Sequence, residues 1–295
     1  MKCNLCEKKA VILNPSYCKE HFIDDFEKKV EETIKQFNLF NKNEKILVAT
    51  SGGKDSLTVL HILKKLGYNV KGLLIDEGIK NYREYTIDDM NEFSKKYDID
   101  FVIKSFEEEY SSTLDDITKK TTLNPCHICG IFRRQLLNKY SKEYDVIATG
   151  HNLDDEAQSI LMNLLKSQTN LLSRLGPITG LKKDDKFTRR VKPLYLLSEK
   201  NIRLYTFLLG LKNTFTECPY SSSSFRNEIS IMLNELENEN QGTKSNIVNH
   251  FLKNQDKIKK IGEKEGSANL CYICNEPSSG KICNACNILK ELKLI

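Results

Sequence analysis

The 295-residue chain carries 45 Lys and Arg against 40 Asp and Glu, a net charge of +5, with 39% hydrophobic and 29% charged residues. That mixture suits a soluble globular protein with room for one large α/β core and small appendages, and no run approaches the roughly 18 apolar residues of a membrane span. The charge surplus is compatible with a polyanionic partner and equally with an ordinary surface, so it excludes neither. The chain opens on a cysteine motif where a signal peptide would carry its apolar core, which leads us to expect a cytoplasmic protein.

In chain order, Cys3, Cys6, Cys18 and His21 read C-x2-C-x11-C-x2-H, a pair of knuckles that can close a tetrahedron around zinc. An amphipathic helix is predicted from His21 to Phe40, with Phe22, Ile23, Phe26, Val30, Ile34 and Phe37 near helical period. Strand-like runs recur at 45–50, 70–75, 101–104 and 146–149, separated by helical stretches at 54–66, 83–97 and 131–142. Strands alternating with helices predict right-handed crossovers and a doubly wound parallel sheet, whose ligands sit at the carboxyl ends of the strands. Those ends are Ser51, Asp76 and the segment Gly150-His151-Asn152-Leu153-Asp154-Asp155-Glu156.

The polar, acidic stretch 105–124 gives no firm assignment. Lys182, Lys183, Lys186, Arg189, Arg190 and Lys192 form a basic stretch, read either as a solvated loop or as a contact for RNA phosphates. Helices are predicted at 198–211, 225–237 and 247–261, and residues 262–268 read as a linker. Cys271, Cys274, Cys283 and Cys286 then read C-x2-C-x8-C-x2-C, a second zinc knuckle that is a candidate for packing against the first. The expected division is residues 1–25 for the N-terminal zinc finger, 26–262 for the catalytic domain and 263–295 for the C-terminal zinc finger.

Ser51-Gly52-Gly53-Lys54-Asp55-Ser56 lies between a buried strand and a helix start, where free N–H groups and the helix dipole converge on a phosphate. Its spacing is neither that of a Walker loop nor that of a dinucleotide fold. It resembles the PP-loop of ATP pyrophosphatases. Backbone N–H groups at 51–53 and the hydroxyls of Ser51 and Ser56 are expected on phosphate oxygens, Lys54 as a neutralising charge and Asp55 as a supporting or capping group. Carboxylates beside a polyphosphate make sense through Mg²⁺, with Asp155 the candidate and Asp154 beside it. The Asp154-Asp155 pair also reads as a helix cap.

Three cysteines remain. Cys126 and Cys129 stand in Pro125-Cys126-His127-Ile128-Cys129-Gly130, and Cys218 in Glu217-Cys218-Pro219-Tyr220. Their spacing fits a third zinc site completed by His127, a redox pair at Cys126 and Cys129, or an iron–sulfur cluster on three thiolates. Arg133 falls one turn beyond Cys129, on the same helix face and within reach of an ATP phosphate. His127 and His151 stay outside the catalytic set, and Tyr220 with the serines at 221–224 reads as a cap for the helix from Phe225.

Taken together, the N-terminal C-x2-C…C-x2-H, the Ser-Gly-Gly-Lys-Asp-Ser loop, Cys-His-Ile-Cys-Gly…Arg-Arg, Gly-His-Asn-Leu-Asp-Asp-Glu-Ala, Glu-Cys-Pro-Tyr and the C-terminal four-cysteine knuckle resemble the tRNA 2-thiolation family, nearly end to end and in order. The resemblance implies adenylation of a uridine C2 oxygen by ATP and displacement by sulfur, giving 2-thiouridine, AMP and pyrophosphate. It also implies a [4Fe–4S] cluster on Cys126, Cys129 and Cys218, two zincs, Mg²⁺, and ATP contacts at Thr50, Ser51, Gly52, Gly53, Lys54, Asp55, Ser56, Ile75, Arg133 and Gly150, the adenine lying near the Ile75 backbone. Asp155, Arg133 and the three cysteines form its catalytic set, although an arginine at 133, where relatives commonly carry lysine, is a poor proton donor.

The same resemblance implies tRNA as partner, sulfide or a thiocarboxylated ubiquitin-like protein as sulfur donor, and a homodimer. Uridine 34 is favoured over uridine 54, because the chain is rich in Asn. Two other functions compete: a PP-loop enzyme that transfers nitrogen and carries three zincs, and a non-catalytic zinc-ribbon RNA-binding protein.

Overall fold

Strands β1 (Ile12–Leu13) and β2 (Ser16–Tyr17) pair antiparallel and lead into helix α1 (Lys19–Gln36). Phe22, Phe26, Val30 and Ile34 on α1 are all buried, the apolar stripe that a 3.6-residue period requires. The computed structural model describes residues 1–179, 187–211, 218–220, 225–262 and 269–295. After α1 come β3 (Lys45–Thr50), α2 (Lys54–Lys65), β4 (Asn69–Asp76), α3 (Arg83–Tyr97), β5 (Phe101–Ser105), α4 (Phe106–Tyr110), α5 (Leu114–Lys119), α6 (Pro125–Tyr140), β6 (Val146–Thr149) and α7 (Leu153–Leu165). They are followed by α8 (Thr169–Leu172), β7 (Ile178–Thr179), β8 (Arg189–Val191), α9 (Glu199–Leu209), α10 (Phe225–Glu239) and α11 (Thr243–Gly262). The C-terminal end adds the ribbon β9 (Asn269–Leu270) and β10 (Pro277–Ser278), and α12 (Asn284–Glu291).

The six-stranded sheet has the order β5-β4-β3-β6-β8-β7. Every neighbouring pair is parallel except β7–β8, an antiparallel edge, so the doubly wound parallel sheet expected from the sequence is present. Alternation along β3 sends Ile46 and Val48 into a core with α1, α2, α3 and α9, and Leu47 into a second core with α4, α5, α6 and α12. A third core joins α7, α8, α10 and α11. Chain order reverses between β3 and β6, and this switch point opens a crevice at the carboxyl ends of both strands.

Several expectations change. Helix α6 begins at Pro125 rather than near 131, because Asn124 caps it by accepting from the N–H groups of Cys126 and His127, with proline at the first position. The unassigned stretch holds α4 and α5, one closed by a Ser105–Glu108 capping box and the other capped by Thr113. Residues 180–186, with Lys182, Lys183 and Lys186, lie outside the described residues, but Arg189, Arg190 and Lys192 do not form a solvated loop. They belong to or follow β8, and Arg189 pairs with Glu44 while Lys192 is buried against Glu156. The two cysteine knuckles do not share a core, the N-terminal one packing with α1 and the C-terminal one with α6 and α12. Of the expected 262–268 linker, Gly262 ends α11 and residues 263–268 lie outside the described residues, as do Ser221 to Ser224. Among those described, no helix is long and apolar enough to cross a membrane.

Candidate active site and metal centres

Gly52 adopts φ +74°, and a Cβ there would stand 2.0 Å from Thr86 Cγ2 of α3, so both the turn and its neighbour require glycine. Gly53 is the N-cap of α2 and supplies no side-chain acceptor, unlike Asn124, Asn152 and Ser198 at α6, α7 and α9. The first N–H groups of α2 are therefore presented at the positive end of its dipole. Thr50 and Ser56 are buried and brace the loop from beneath: Gly52 N donates to Thr50 Oγ1 at 3.2 Å, Ser51 N donates to Ser56 Oγ at 3.2 Å, and Ser56 Oγ donates to Gly53 O at 3.0 Å. Ser56, expected on a phosphate, thus has its hydroxyl engaged within the loop. Across the crevice, a Cβ on Gly150 would lie 2.9 Å from the backbone of Asp55 and Ser56, so this glycine lets β6 and the start of α2 approach.

Asp55 and Asp155 meet through Asn152. Asn152 Nδ2 donates to Asp55 Oδ1 at 3.1 Å, while Asn152 and Asp155 close a capping box at the start of α7. Burial raises the pKa of both carboxyls, against the pull of Lys54 on Asp55 and of Arg226 on Asp155, and each carboxylate has a cation beside it. Lys54 Nζ lies 3.0 Å from Asp55 and from Glu199, and Arg226 Nη1 lies 3.3 Å from Asp155 Oδ1. Asp154 is not the second carboxylate of this pair. It is buried, ion-paired with Lys244, and accepts from Glu199 N at 2.8 Å, so it fastens α7 to α9 and α11. Asp55 takes its place, an oxygen-rich pair of the kind Mg²⁺ prefers.

Next to the loop, Arg83 and Glu77 form a buried bidentate pair at 2.5 and 2.7 Å, and Arg83 Nη1 donates to Ser51 O at 2.8 Å. Arg133 Nη1 lies 3.5 Å from the same Glu77 carboxylate. The pair leads to the cysteine trio: burial pushes Cys129 up to about 12, with the Arg133 charge opposing, and burial also raises Cys218. Cys126 is exposed, and its Sγ donates to Tyr220 O at 3.3 Å. Tyr220 does not act as the expected cap, because its hydroxyl donates to Asp115 Oδ1 at 2.7 Å and so ties the Cys218 segment to α5. Ile75 is buried at the end of β4, beside β3.

His151 is exposed at the crevice, with Nδ1 2.9 Å from Thr149 Oγ1. Crowding by the protein and the cations Lys192, Arg226, Arg133 and Arg190 lower its pKa from the ordinary histidine value.

Ligand atoms of Cys3, Cys6, Cys18 and His21, and those of Cys271, Cys274, Cys283 and Cys286, fall within 4.8 Å of one another. Cys6 and Cys18 sulfurs are 3.7 Å apart, as are those of Cys274 and Cys283, close to the roughly 3.8 Å edge of a tetrahedron with Zn–S bonds of about 2.3 Å. Among the described residues, Cys126, Cys129 and Cys218 do not all bring their sulfurs within 4.8 Å of one another. From α6, Gln135 Nε2 donates to Cys274 Sγ at 3.3 Å and Cys283 Sγ at 3.6 Å, while Tyr110 OH donates to its Oε1 at 2.6 Å.

Arg83, Glu77, Asn152, Arg226 and Gln135 were not anticipated from the sequence. Glu77 had a usable signal, because it directly follows Asp76 at a strand's carboxyl end. Arg226 had none, its partner Asp155 lying 71 residues away.

This fold and loop define a nucleotide-binding protein of the PP-loop class. The PP-loop domain family matches residues 23–236. A tRNA-5-methyluridine(54) 2-sulfurtransferase of Pyrococcus horikoshii is 40% identical over 292 residues, covering 97% of this chain and 93% of the relative. Cytoplasmic tRNA 2-thiolation protein 1 of Danio rerio is 35% identical, covering 99% and 88%. The solved U34-tRNA thiolase NcsA of Methanococcus maripaludis, described with its [4Fe-4S] cluster, superposes with a TM-score of 0.84 at 34% identity, covering 99% of this chain and 96% of that one. The chain belongs to the PP-loop tRNA 2-thiolation family, whose members are named tRNA sulfurtransferases and thiolases.

Proposed function

We propose that the chain converts uridine 34 of tRNA to 2-thiouridine in an ATP-dependent reaction that releases AMP and pyrophosphate. The observation that carries this reading is the convergence of the uncapped α2 N-terminus, the Asp55–Asp155 pair and the cysteine trio on one crevice, bridged by Glu77, Arg83 and Arg133. The N–H groups after Ser51 bind the phosphates, Gly150 leaves room beside them, and the adenine lies against the backbone near Ile75. Asp55 and Asp155 hold Mg²⁺. Arg133 steadies phosphate charge without donating a proton. A urea-like carbonyl is a poor electrophile, and adenylation at oxygen supplies its leaving group. Cys126, Cys129 and Cys218 hold a [4Fe–4S] cluster, which when bound supplies a sulfide-binding iron; the sulfur originates from sulfide or a thiocarboxylated ubiquitin-like protein. The two quartets hold zinc in structural sites.

The test is metal and sulfide analysis of protein purified without oxygen, with Cys218→Ala alongside, and mass mapping of thiolated tRNA. Two zincs with about four irons and four sulfides, iron lost in the variant, and thiolation at position 34 are expected. Three zincs without sulfide would sink cluster-dependent thiolation. The name of the 40% identical relative favours position 54 as the second reading, and the mapped site decides between them.

A further inference from the structure

Most of the described arginines meet a carboxylate: Arg83 and Arg133 pair with Glu77, Arg189 with Glu44, Arg203 with Glu199 and Arg226 with Asp155. Arg134 and Arg190 have none among the described residues. On α6, Gly130, Arg134 and Asn138 recur every four residues and share one face. The Arg134 guanidinium folds back along that face, its Nη1 3.1 Å from where a Cβ on Gly130 would stand. Arg190 reaches the same face from β8, its Nη2 donating to Asn138 Oδ1 at 2.6 Å. In the sheet register Arg190 lies opposite Ile147, two residues before Thr149 and three before Gly150 at the crevice.

Two guanidiniums therefore lie along one face of α6 without a carboxylate partner among the described residues. Both are partly desolvated and each remains open to solvent, Arg134 exposed and Arg190 half-buried. Two like charges on one partly desolvated surface repel each other, and an anion bound between them removes that cost. Arg190 also belongs to the group of cations that lowers the His151 pKa, so this rim is electropositive up to the crevice mouth.

We propose that Arg134 and Arg190 clamp a backbone phosphodiester of the tRNA next to the uridine being modified. The inference rests on the tRNA-thiolation reading. A phosphodiester fits two planar forks, and the ATP phosphates have their own site at the start of α2. Arg133, one residue earlier, turns toward Glu77 at the end of β4, whereas Arg134 folds back over Gly130 on the α6 face that Arg190 reaches from β8, so the neighbouring arginines serve different anions.

The experiment is tRNA binding by the full metal-loaded chain across a salt series, for wild type, R134Q, R190Q, R134Q/R190Q and R134K/R190K, with ATP affinity measured in parallel. Each loss of charge is expected to reduce the slope of log K against log salt by about 0.7 to 0.9, and the double Gln variant by about twice that. The double Lys variant is expected to keep the wild-type slope, and ATP affinity to stay unchanged throughout. Wild-type affinity and slope in the double Gln variant would overturn the clamp while leaving the thiolation reading intact. A wild-type chain that binds no tRNA would overturn both.

Discussion

Asn152 Nδ2 donates to Asp55 Oδ1 at 3.1 Å, and the same residue caps α7 by accepting from Asp155 N at 3.1 Å. One side chain thus fixes the spacing of two carboxylates that lie on different helices. Asn152→Ala is expected to cost about 1 kcal/mol through the lost cap and to weaken Mg²⁺-dependent ATP binding about 10- to 100-fold. Asp155→Asn keeps an acceptor for the capping box, so it should melt near the wild-type temperature while losing turnover. Calorimetry with and without Mg·ATP separates the two effects, and an Asn152→Ala variant that binds Mg·ATP normally would refute the positioning role.

Gly52 and Gly67 both have positive φ, +74° and +76°, but only Gly52 has a neighbour in the way. Gly67→Ala should cost about 1 to 2 kcal/mol from backbone strain alone and leave ATP affinity unchanged. Gly52→Ala adds the clash with Thr86 and is expected to abolish ATP binding at a temperature where the protein remains folded. Equilibrium dialysis with labelled ATP on both variants makes the comparison, and equal affinities would contradict it.

Arg83 is the main cation on a carboxylate that is almost fully buried. Removing it leaves Glu77 with only the longer contact to Arg133, and Arg83→Met is expected to lose about 3 to 5 kcal/mol of stability. The double variant Arg83→Met with Glu77→Gln should recover much of that loss, because no buried charge is stranded. Denaturant titration reads the coupling between the two sites, and simple additivity would rule the argument out.

His151 gives a pH signature. Its folded pKa lies below the value of about 6.5 expected for the unfolded chain, so the unfolded chain takes up the proton first as pH falls. Stability from this group is full above about pH 6.5 and declines as pH falls below it. The His151 resonance, identified by its loss in His151→Gln, is expected to titrate below the ordinary histidine range, and the substitution should remove part of the acid dependence. A His151 ring titrating near 6.5 would show that the crevice cations do not act on it.

Ile46, Leu47 and Val48 announced β3 because a strand buried on both faces reads as a continuous apolar run, and the glycine pair after it marked the crevice. Short elements were harder to read. Helices α4 and α5 bury only Phe106 with Tyr110 and Leu114 with Ile117, too few positions to establish a period. Strand β8 buries only Val191 among its three residues, so its arginines disguised a strand within the sheet as a loop. The start of α6 was legible in Asn124-Pro125, a cap followed by a first-turn proline, although the cysteines and glycine of its first turns lack a helical apolar period. Asp154 and Asp155 are adjacent in the chain yet point to different partners, and sequence proximity could not reveal that Asn152 links Asp155 to Asp55.

The contact from Gln135 to two sulfurs of the C-terminal quartet bears on how the protein is assembled. The same helix begins with Cys126 and Cys129, so a metal that orders the quartet also steadies the presentation of those thiols, and each occupancy favours the other by thermodynamic linkage. On the proposed metal content, stripping zinc from the quartet is expected to lower iron retention at the trio, and removing iron to loosen the quartet in return.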